Sequence, residues 1–215
     1  MAIKKNIRVL EVNLPNNLDK IDEGKWFIDE DVISNILFED IYIEEKNNSL
    51  LEFKNCMFKN VIFSDVILKK CEFKNCAFIN SDLSNIDLSN SYFHKVKFVN
   101  CKMIGTRYFE SSFNETTINE CIGKLCNFYG SNFKNVIIDE SNFDEGNFEV
   151  LKFKNIEFKN TKLERTSFVD TSLANINLST CNINGINVKI DDIKNIYVNE
   201  EQALDFVKFL GVNII

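Results

Sequence analysis

Large apolar side chains recur at every fifth position of the chain, from Phe53 to Val188. The series covers 28 positions without a slip of register, and 27 of them carry a large apolar residue, Gly123 being the exception. Fifteen of them are phenylalanine. Neither a helix, with a period of about 3.6 residues, nor a strand, with a period of about 2, produces this pattern. A fixed period over most of a chain indicates an architecture built from internal repeats.

A second phase of the same period lies two residues before each large apolar position. It carries mainly small or β-branched residues, of the kind that fill a narrow interior. It also contains every cysteine of the chain: Cys56, Cys71, Cys76, Cys101, Cys121, Cys126 and Cys181. The three remaining phases are mostly Asn, Lys, Asp, Glu and Ser, which predicts that they face solvent.

The cysteine spacing favours packing over chemistry. A metal site needs ligands that converge on one point, whereas these cysteines are spread along the chain. Disulfide frameworks are typical of secreted chains with an even cysteine count, and this chain has seven. Buried free cysteines that act as small hydrophobes explain all the positions at once. The only histidine, His94, follows a core phenylalanine and is expected to point to water.

The segment CEFKNCAFINSDLSNIDLSNSYF, residues 71–93, resembles the pentapeptide-repeat family, and the resemblance extends over about residues 31–190. It implies an all-β fold, a right-handed quadrilateral β-helix with one pentapeptide on each side and four in each coil. Residues 20 apart would be vertical neighbours. The expected core stack is Phe53, Phe73, Phe93, Phe113, Phe133 and Phe153. Because Gly123 lacks a core side chain, we expect a local distortion near residues 103–126.

The chain is predicted to have three parts. Residues 1–30 do not fit the register and are expected to cap the first coil, with IRVLEVNLP alternating like a strand. Residues 31–198 are expected to form the β-helix, with EEKNNS interrupting the period before residue 51. Residues 199–215 are expected to form a short α-helix and a tail. Asn199 and Gln202 have capping-box spacing at its start, and the following residues are apolar on nearly all sides.

The ending EQALDFVKFLGVNII resembles the C-termini of the quinolone-resistance and topoisomerase-inhibiting branch of that family. This resemblance implies a homodimer through the C-terminus, with the dimerisation residues Leu204, Phe206, Val207, Phe209, Leu210, Val212 and Ile214. It also implies a non-enzymatic, acidic rod that imitates DNA and binds a type II topoisomerase such as DNA gyrase. An effect on quinolone susceptibility is a further expectation of the same resemblance.

The charge along the chain supports this reading only in part. The net charge of −7 argues against direct binding of nucleic-acid phosphates. The candidate acidic interaction surface consists of Glu110, Glu115, Glu120, Asp139, Glu140, Asp144, Glu145 and Glu149. Glu120 and Glu140 are expected to stack on one face. Residues 51–105 and 151–190 are each net +3, and Lys152, Lys154, Lys159 and Lys162 lie close together in sequence, which counts against an even imitation of DNA.

The alternative function is a general protein-interaction or structural solenoid of unknown partner. An enzyme is not expected, because the sequence has no glycine-rich phosphate loop and no nucleophile motif, and its outward serines lack a base. No cofactor and no metal are expected. No apolar run reaches the ~18–20 residues of a membrane helix, and no signal segment is recognisable, so the sequence predicts a cytoplasmic protein without membrane contact.

Overall fold

The computed structural model describes residues 7–21, 32–44 and 47–207. The backbone winds into a β-helix in which each strand pairs in parallel with the strand 20 residues further on, Phe53 with Phe73 and Phe73 with Phe93. The predicted fold is confirmed. The strands are β1 Asp19–Lys20, β2 Val32–Ser34, β3 Ile36–Glu39, β4 Tyr42–Glu44, β5 Asn47–Ser49, β6 Glu52–Lys54, β7 Met57–Lys59, β8 Ile62–Ser64, β9 Ile67–Lys69, β10 Glu72–Ile79, β11 Tyr92–Val99, β12 Ser112–Asn119, β13 Asn132–Asp139 and β14 Lys152–Lys159. A 3-10 helix, Ile190–Ile193, and the α-helix α1, Glu200–Val207, follow.

Each coil has four sides of five residues. In the coil of residues 71–90, side 1 is 71–75, side 2 is 76–80, side 3 is 81–85 and side 4 is 86–90, and the same names apply to residues 20 apart. Strands β10 to β14 each cover sides 1 and 2 of one coil. From residue 82 onward, sides 3 and 4 are held to the next coil by single bridges, such as Asp82 with Lys102 and Asp87 with Arg107. The two halves of each coil therefore differ in backbone regularity.

The corners between sides are made by the last residue of nearly every pentapeptide. From Asn35 onward these residues adopt a left-handed backbone, with φ between 45° and 72°. Asparagine is the commonest residue there, because it tolerates this conformation better than other residues that carry a side chain. The composition of this phase predicted only that it faces solvent. Its asparagines also bond to one another between coils: the Asn55 side-chain amide donates to Asn35 at 2.9 Å, and that of Asn75 to Asn55 at 2.8 Å.

The large apolar phase fills the interior. Every one of its positions from 53 to 188 is buried except Phe153, which is half-buried. On side 1 the rings of residues 53, 73, 93 and 113 stack nearly parallel, with centroids 4.6–5.0 Å apart. The Phe133 ring is tilted by 58° from that of Phe113, and Phe153 lies 5.8 Å from Phe133. The parallel stack therefore covers four of its six expected members, and the last two are tilted.

The local distortion expected near residues 103–126 is wrong for the backbone. Residues 121–130 repeat the bridges and turns of residues 101–110 and 141–150, and the Gly123 N–H donates to Asn142 at 2.7 Å. The space is filled instead by Phe143 of the next coil, whose Cε1 lies 2.2 Å from where a Cβ on Gly123 would be. The missing side chain is thus absorbed by ring packing: Phe143 meets Phe128 at 62° and Phe148 at 84°.

The register begins one coil earlier than the uninterrupted series indicated. Ile33, Phe38 and Ile43 are buried in the first coil, in the same phase as the later phenylalanines. Asn48 continues this phase and pairs in register with Leu68 through strands β5 and β9. The predicted interruption by EEKNNS is therefore wrong for residues 47–49. Its residues 45–46 lie outside the described ranges.

The N-terminal segment does two different things. Strand β1 pairs with β3, Asp19 opposite Ile36, and so lies against the first coil as a cap would. Residues 7–14 instead run along the outside of the rod and carry no strand, so the strand expected for IRVLEVNLP is wrong in the part that is described. Residues 1–6 and 22–30 of the expected cap are outside the described part of the chain.

Candidate functional site

The residues of the predicted acidic surface do not share one side. Glu115 ends a pentapeptide of side 1, and Glu120, Asp139 and Glu140 belong to side 2. The others divide between two further sides, Asp144 and Glu145 on side 3, Glu110 and Glu149 on side 4. Five residues of sequence turn the chain by one side, so carboxylates that are close in sequence point in different directions. Because residues 20 apart occupy the same side of successive coils, the residue numbers alone would have predicted this distribution.

Five of these carboxylates are engaged by the protein itself. Glu115 accepts the Leu10 N–H at 2.8 Å, and Asp139 accepts the Asn160 side-chain amide at 3.4 Å. Asp144 is buried, lies 3.5 Å from the Lys124 ammonium and accepts the Glu164 N–H at 3.0 Å. The expectation that Asp144 belongs to an acidic interaction surface is therefore wrong, because its side chain is buried. Glu145 accepts from the Arg165 guanidinium at 2.7 Å and thereby raises the pKa of Arg165. Glu149 accepts the Ser167 hydroxyl at 2.6 Å.

The corner that ends side 2 carries the most open negative charge. Glu120 and Glu140 follow each other there in successive coils. The two coils are joined at this point by a backbone hydrogen bond from the Glu120 N–H to the Asp139 carbonyl, one residue before Glu140. Both glutamates are exposed, and neither forms an ion pair with another described residue. Glu110, on the corner that ends side 4, is likewise exposed. Only Glu120 and Glu140 share one corner in successive coils, and they are the part of the predicted surface that could meet a partner's cations together.

Side 1 carries positive charge close to that corner. Lys134 and Lys154 are register partners in β13 and β14, and Lys152 lies beside them in β14. All three are exposed and form no ion pair within the described ranges. The two other lysines of the predicted basic run lie elsewhere, Lys159 on side 2, 3.2 Å from Glu157, and Lys162 on side 3. The outer surface therefore has opposite charges on neighbouring sides.

Helix α1 closes the last described coil. Asn199 and Gln202 form the predicted capping box, each side chain accepting the other's backbone N–H at 2.9 Å. The Gln202 side chain is buried and donates to the carbonyls of Leu178 and Cys181 at 3.0 and 2.7 Å. Of the predicted dimerisation residues, Phe206 packs against the core, Val207 is half-buried and Leu204 is 54% exposed. The other members of that set, Phe209, Leu210, Val212 and Ile214, lie outside the described residues.

The groups with catalytic or metal-binding potential are dispersed. All seven cysteines are buried and free, and burial raises the pKa of the Cys71 thiol to about 11. His94 is half-buried, with Nδ1 3.0 Å from the Asn114 side-chain amide, so the expectation that it points to water holds only in part. Among the described residues, no three His, Cys, Asp or Glu side chains are grouped so that they could hold a metal ion. No helix in the same part of the chain is long and apolar enough to cross a bilayer.

One contact region has no signal in the sequence. Asn75 and Glu115 end side 1 in two coils that are separated by one coil. They bind the backbone of the N-terminal segment, Asn75 at Asn13 and Glu115 at Leu10. In the sequence, Asn75 is one of many corner asparagines and has no distinguishing neighbour. Only the fold brings a segment 62 residues away in sequence onto it.

Comparisons with known proteins agree with the repeat. Residues 51–128 match the family model described as a pentapeptide repeat region. No curated protein matches the chain. Among solved structures, QnrB1, described as a plasmid-mediated fluoroquinolone resistance protein, is 13% identical with a TM-score of 0.34, over 84% of this chain and 100% of that one. HetL from the cyanobacterium Nostoc sp. strain PCC 7120, described as a pentapeptide repeat protein involved in heterocyst differentiation regulation, is 10% identical with a TM-score of 0.34, over 76% of this chain and 87% of that one.

These structural similarities carry no functional argument, because identities and TM-scores are low. The family match, by contrast, covers residues that form regular coils of the β-helix in this structure. The same register continues beyond residues 51–128 in both directions, with buried central residues from Ile33 to Val188. The chain thus contains a pentapeptide-repeat region, matched over residues 51–128.

Proposed function

We propose that the protein is a non-catalytic rod that acts by binding another protein through its outer surface. The observation that supports this proposal is the filled interior. The central phase is occupied by stacked rings and aliphatic side chains, and the phase before it by small buried residues. Function is therefore expected to lie in the arrangement of polar groups on the four sides and their corners.

A type II topoisomerase such as DNA gyrase is the partner we propose to test first. The feature that favours it is the pair Glu120 and Glu140, two exposed carboxylates on one corner in successive coils. At about 4.8 Å between coils, they form a short row of negative charge of the kind that a cationic DNA-binding surface attracts. Asp144 is neutralised by Lys124, and Lys134 and Lys154 face outward nearby. We therefore confine the DNA-like surface to the corner of side 2 and do not extend it round the rod.

The C-terminal dimer remains part of this proposal. Helix α1 presents Leu204 to solvent, while Gln202 and Phe206 hold the helix against the last coil. An exposed leucine on a helix whose other side is anchored is a reasonable seam for a second copy of the chain. A Leu204→Glu variant should then sediment as a monomer with an unchanged circular dichroism spectrum. A wild-type protein that is monomeric at micromolar concentration contradicts the dimer.

The topoisomerase proposal is tested by supercoiling inhibition with purified gyrase. The double variant Glu120→Lys/Glu140→Lys should lose at least tenfold in inhibitory potency, and wild-type inhibition should weaken as salt screens the charges. The matched control is Glu44→Lys/Glu110→Lys, which changes net charge equally at exposed sites away from the side 2 corner. Equal loss in both double variants would refute a role for that corner. Wild-type protein without effect at tens of micromolar would refute the topoisomerase as partner.

A further inference from the structure

The N-terminal segment of residues 7–14, which we call the arm, follows one corner of the rod. This corner lies between sides 1 and 2 and contains Asn75 and Glu115. Asn13 contacts Asn75, and Leu10 contacts Glu115, which lies two coils further along. Three residues of extended chain span about 10 Å, and two coil spacings of about 4.8 Å span the same distance. The arm therefore lies parallel to the rod axis in an extended conformation whose repeat matches that of the coils.

The corner binds the arm through the arm's backbone. The Asn75 side-chain amide accepts the Asn13 N–H at 2.9 Å and donates to the Asn13 carbonyl at 2.7 Å, as a neighbouring strand would. The Glu115 carboxylate accepts the Leu10 N–H at 2.8 Å. Because these bonds use only peptide groups, they do not depend on which side chains the arm carries at these two positions. Recognition of this kind is typical of sites that accept extended peptides.

Side chains add selectivity to this backbone recognition. In the arm, Ile7, Val9, Val12 and Leu14 are half-buried, while Arg8, Leu10, Glu11 and Asn13 are exposed, Leu10 to 50%. On the rod, Ala77 of side 2 is completely buried, whereas Ile62 of the same phase on side 3 is 49% exposed. Two isoleucines of that phase give a direct comparison: Ile137 on side 2 is half-buried, whereas Ile122 on side 3 is 43% exposed. The corner thus offers a shallow apolar surface beside its polar contacts.

The arm does not satisfy every group of this corner. Asn114 lies on side 1, immediately before Glu115, and its side-chain Oδ1 is buried without a hydrogen-bond partner in the structure. Its Nδ2 is already used by His94 at 3.0 Å. A buried acceptor without a donor is unfavourable, so a peptide that offered an N–H at this place would bind better than the arm does.

We propose that the corner formed by Asn75, Ala77, Asn114 and Glu115 is a docking groove for an extended segment of a partner protein, and that the arm is its intramolecular occupant. The partner segment carries apolar residues in the spacing of the arm and an N–H donor facing Asn114. It displaces the arm on binding. This groove is distinct from the side 2 corner of the topoisomerase proposal and does not depend on it.

The groove is tested by releasing the arm from the folded full-length chain. A protease site replaces residues 15–17, the purified protein is cleaved, and the arm peptide is removed, with circular dichroism checking that the β-helix persists. A fluorescent peptide of residues 7–14 is then titrated and its polarisation measured. Saturable binding to the cleaved protein is expected, at least tenfold tighter than to the uncleaved chain, whose own arm competes. Absence of binding, or equal binding to both forms, would overturn the proposal.

Matched variants locate the binding. Asn75→Ala and Glu115→Gln should each weaken peptide binding at least tenfold, whereas Asn80→Ala and Glu120→Gln, at the corner ending side 2, should not change it. A peptide of the same composition in scrambled order should bind at least tenfold more weakly. Equal effects of the two pairs of variants would refute the assigned groove. Arm exchange between two copies, seen as a concentration-dependent dimer that cleavage abolishes, would replace the partner segment by a second copy.

The intact chain provides an independent measurement if the cleaved protein does not stay folded. The amides of Leu10 and Asn13 should exchange with deuterium more slowly than the neighbouring amide of Glu11, because they are hydrogen-bonded to the rod. Asn75→Ala should accelerate exchange at Asn13. Exchange of both amides at the rate of an unstructured peptide would show that the arm is not docked and would overturn the proposal.

Discussion

Gly123 offers the sharpest test of how the core is packed. It is the single glycine in a phase of large apolar residues, so repeat consensus alone would place a leucine or phenylalanine there and expect a gain in stability. The structure predicts the opposite sign. A Cβ at residue 123 would lie 2.2, 2.6 and 3.0 Å from three atoms of the Phe143 ring. Ordinary contact begins near 3.4 Å, so the ring would have to retreat by about 1 Å.

The Phe143 ring has no free space into which to retreat. It is completely buried and is held edge-on by Phe128 and Phe148, at centroid distances of 5.8 and 5.7 Å. Overpacking of a filled core costs about 1–3 kcal/mol, which sets the expected loss for Gly123→Ala. The sign is diagnostic because glycine-to-alanine changes at unstrained sites usually stabilise by ~0.4–1 kcal/mol through the unfolded chain.

The assay is equilibrium unfolding in urea, with the change in free energy taken from the midpoint and slope. Met103→Leu, in the coil below, is the volume-conserving control and should cost less than about 1.5 kcal/mol. In a Phe143→Leu background the cost of Gly123→Ala should disappear, because the atoms that it would meet are gone. A Gly123→Ala protein as stable as the wild type, or more stable, would refute the account of how this position is filled.

Three further predictions follow from particular side chains. Tyr108 is completely buried and its hydroxyl has no hydrogen-bond partner in the structure, so Tyr108→Phe should stabilise the protein by about 1 kcal/mol in urea unfolding. Tyr92→Phe, at a half-buried site, is the control, and a loss of stability in Tyr108→Phe would contradict the prediction. Val150 is a β-branched residue at φ 58°, so Val150→Asn should stabilise by about 1 kcal/mol, and Asn90→Val, on the same corner at φ 59°, should cost a similar amount; unchanged midpoints would refute backbone strain there. Burial raises the pKa of Cys71 from 9.0 to about 11, so the unfolded chain loses this proton at a lower pH than the folded chain does. The contribution of Cys71 to stability should therefore be constant below about pH 9 and fall between pH 9 and 11, and a urea midpoint that does not change across that range would contradict the prediction.

The five-residue period of the sequence was sufficient to predict the β-helix and its interior. Each pentapeptide makes one side, so the phase of a residue alone decides whether its side chain points inward or outward. This is why the buried positions and the free cysteines were predicted correctly. The capping box of Asn199 and Gln202 was predicted from its own three-residue spacing. The stretch before residue 51 was misjudged because Asn48 occupies the apolar phase with a polar side chain, which the pairing of β5 with β9 accommodates.

The position of a residue within its pentapeptide does not predict which side chains meet between coils, or between the rod and distant segments of the chain. The acidic residues point to four sides because each side turns the chain, and their charges are reduced by partners about 20 residues away, such as Lys124 for Asp144. Gly123 is compensated by Phe143 from the next coil, through ring packing that no local pattern records. The arm reaches Asn75 because an extended chain matches the coil spacing, and its backbone finds side-chain partners only once the corner exists. The sequence thus determined which residues face inward, while the tertiary structure decided which outward groups meet.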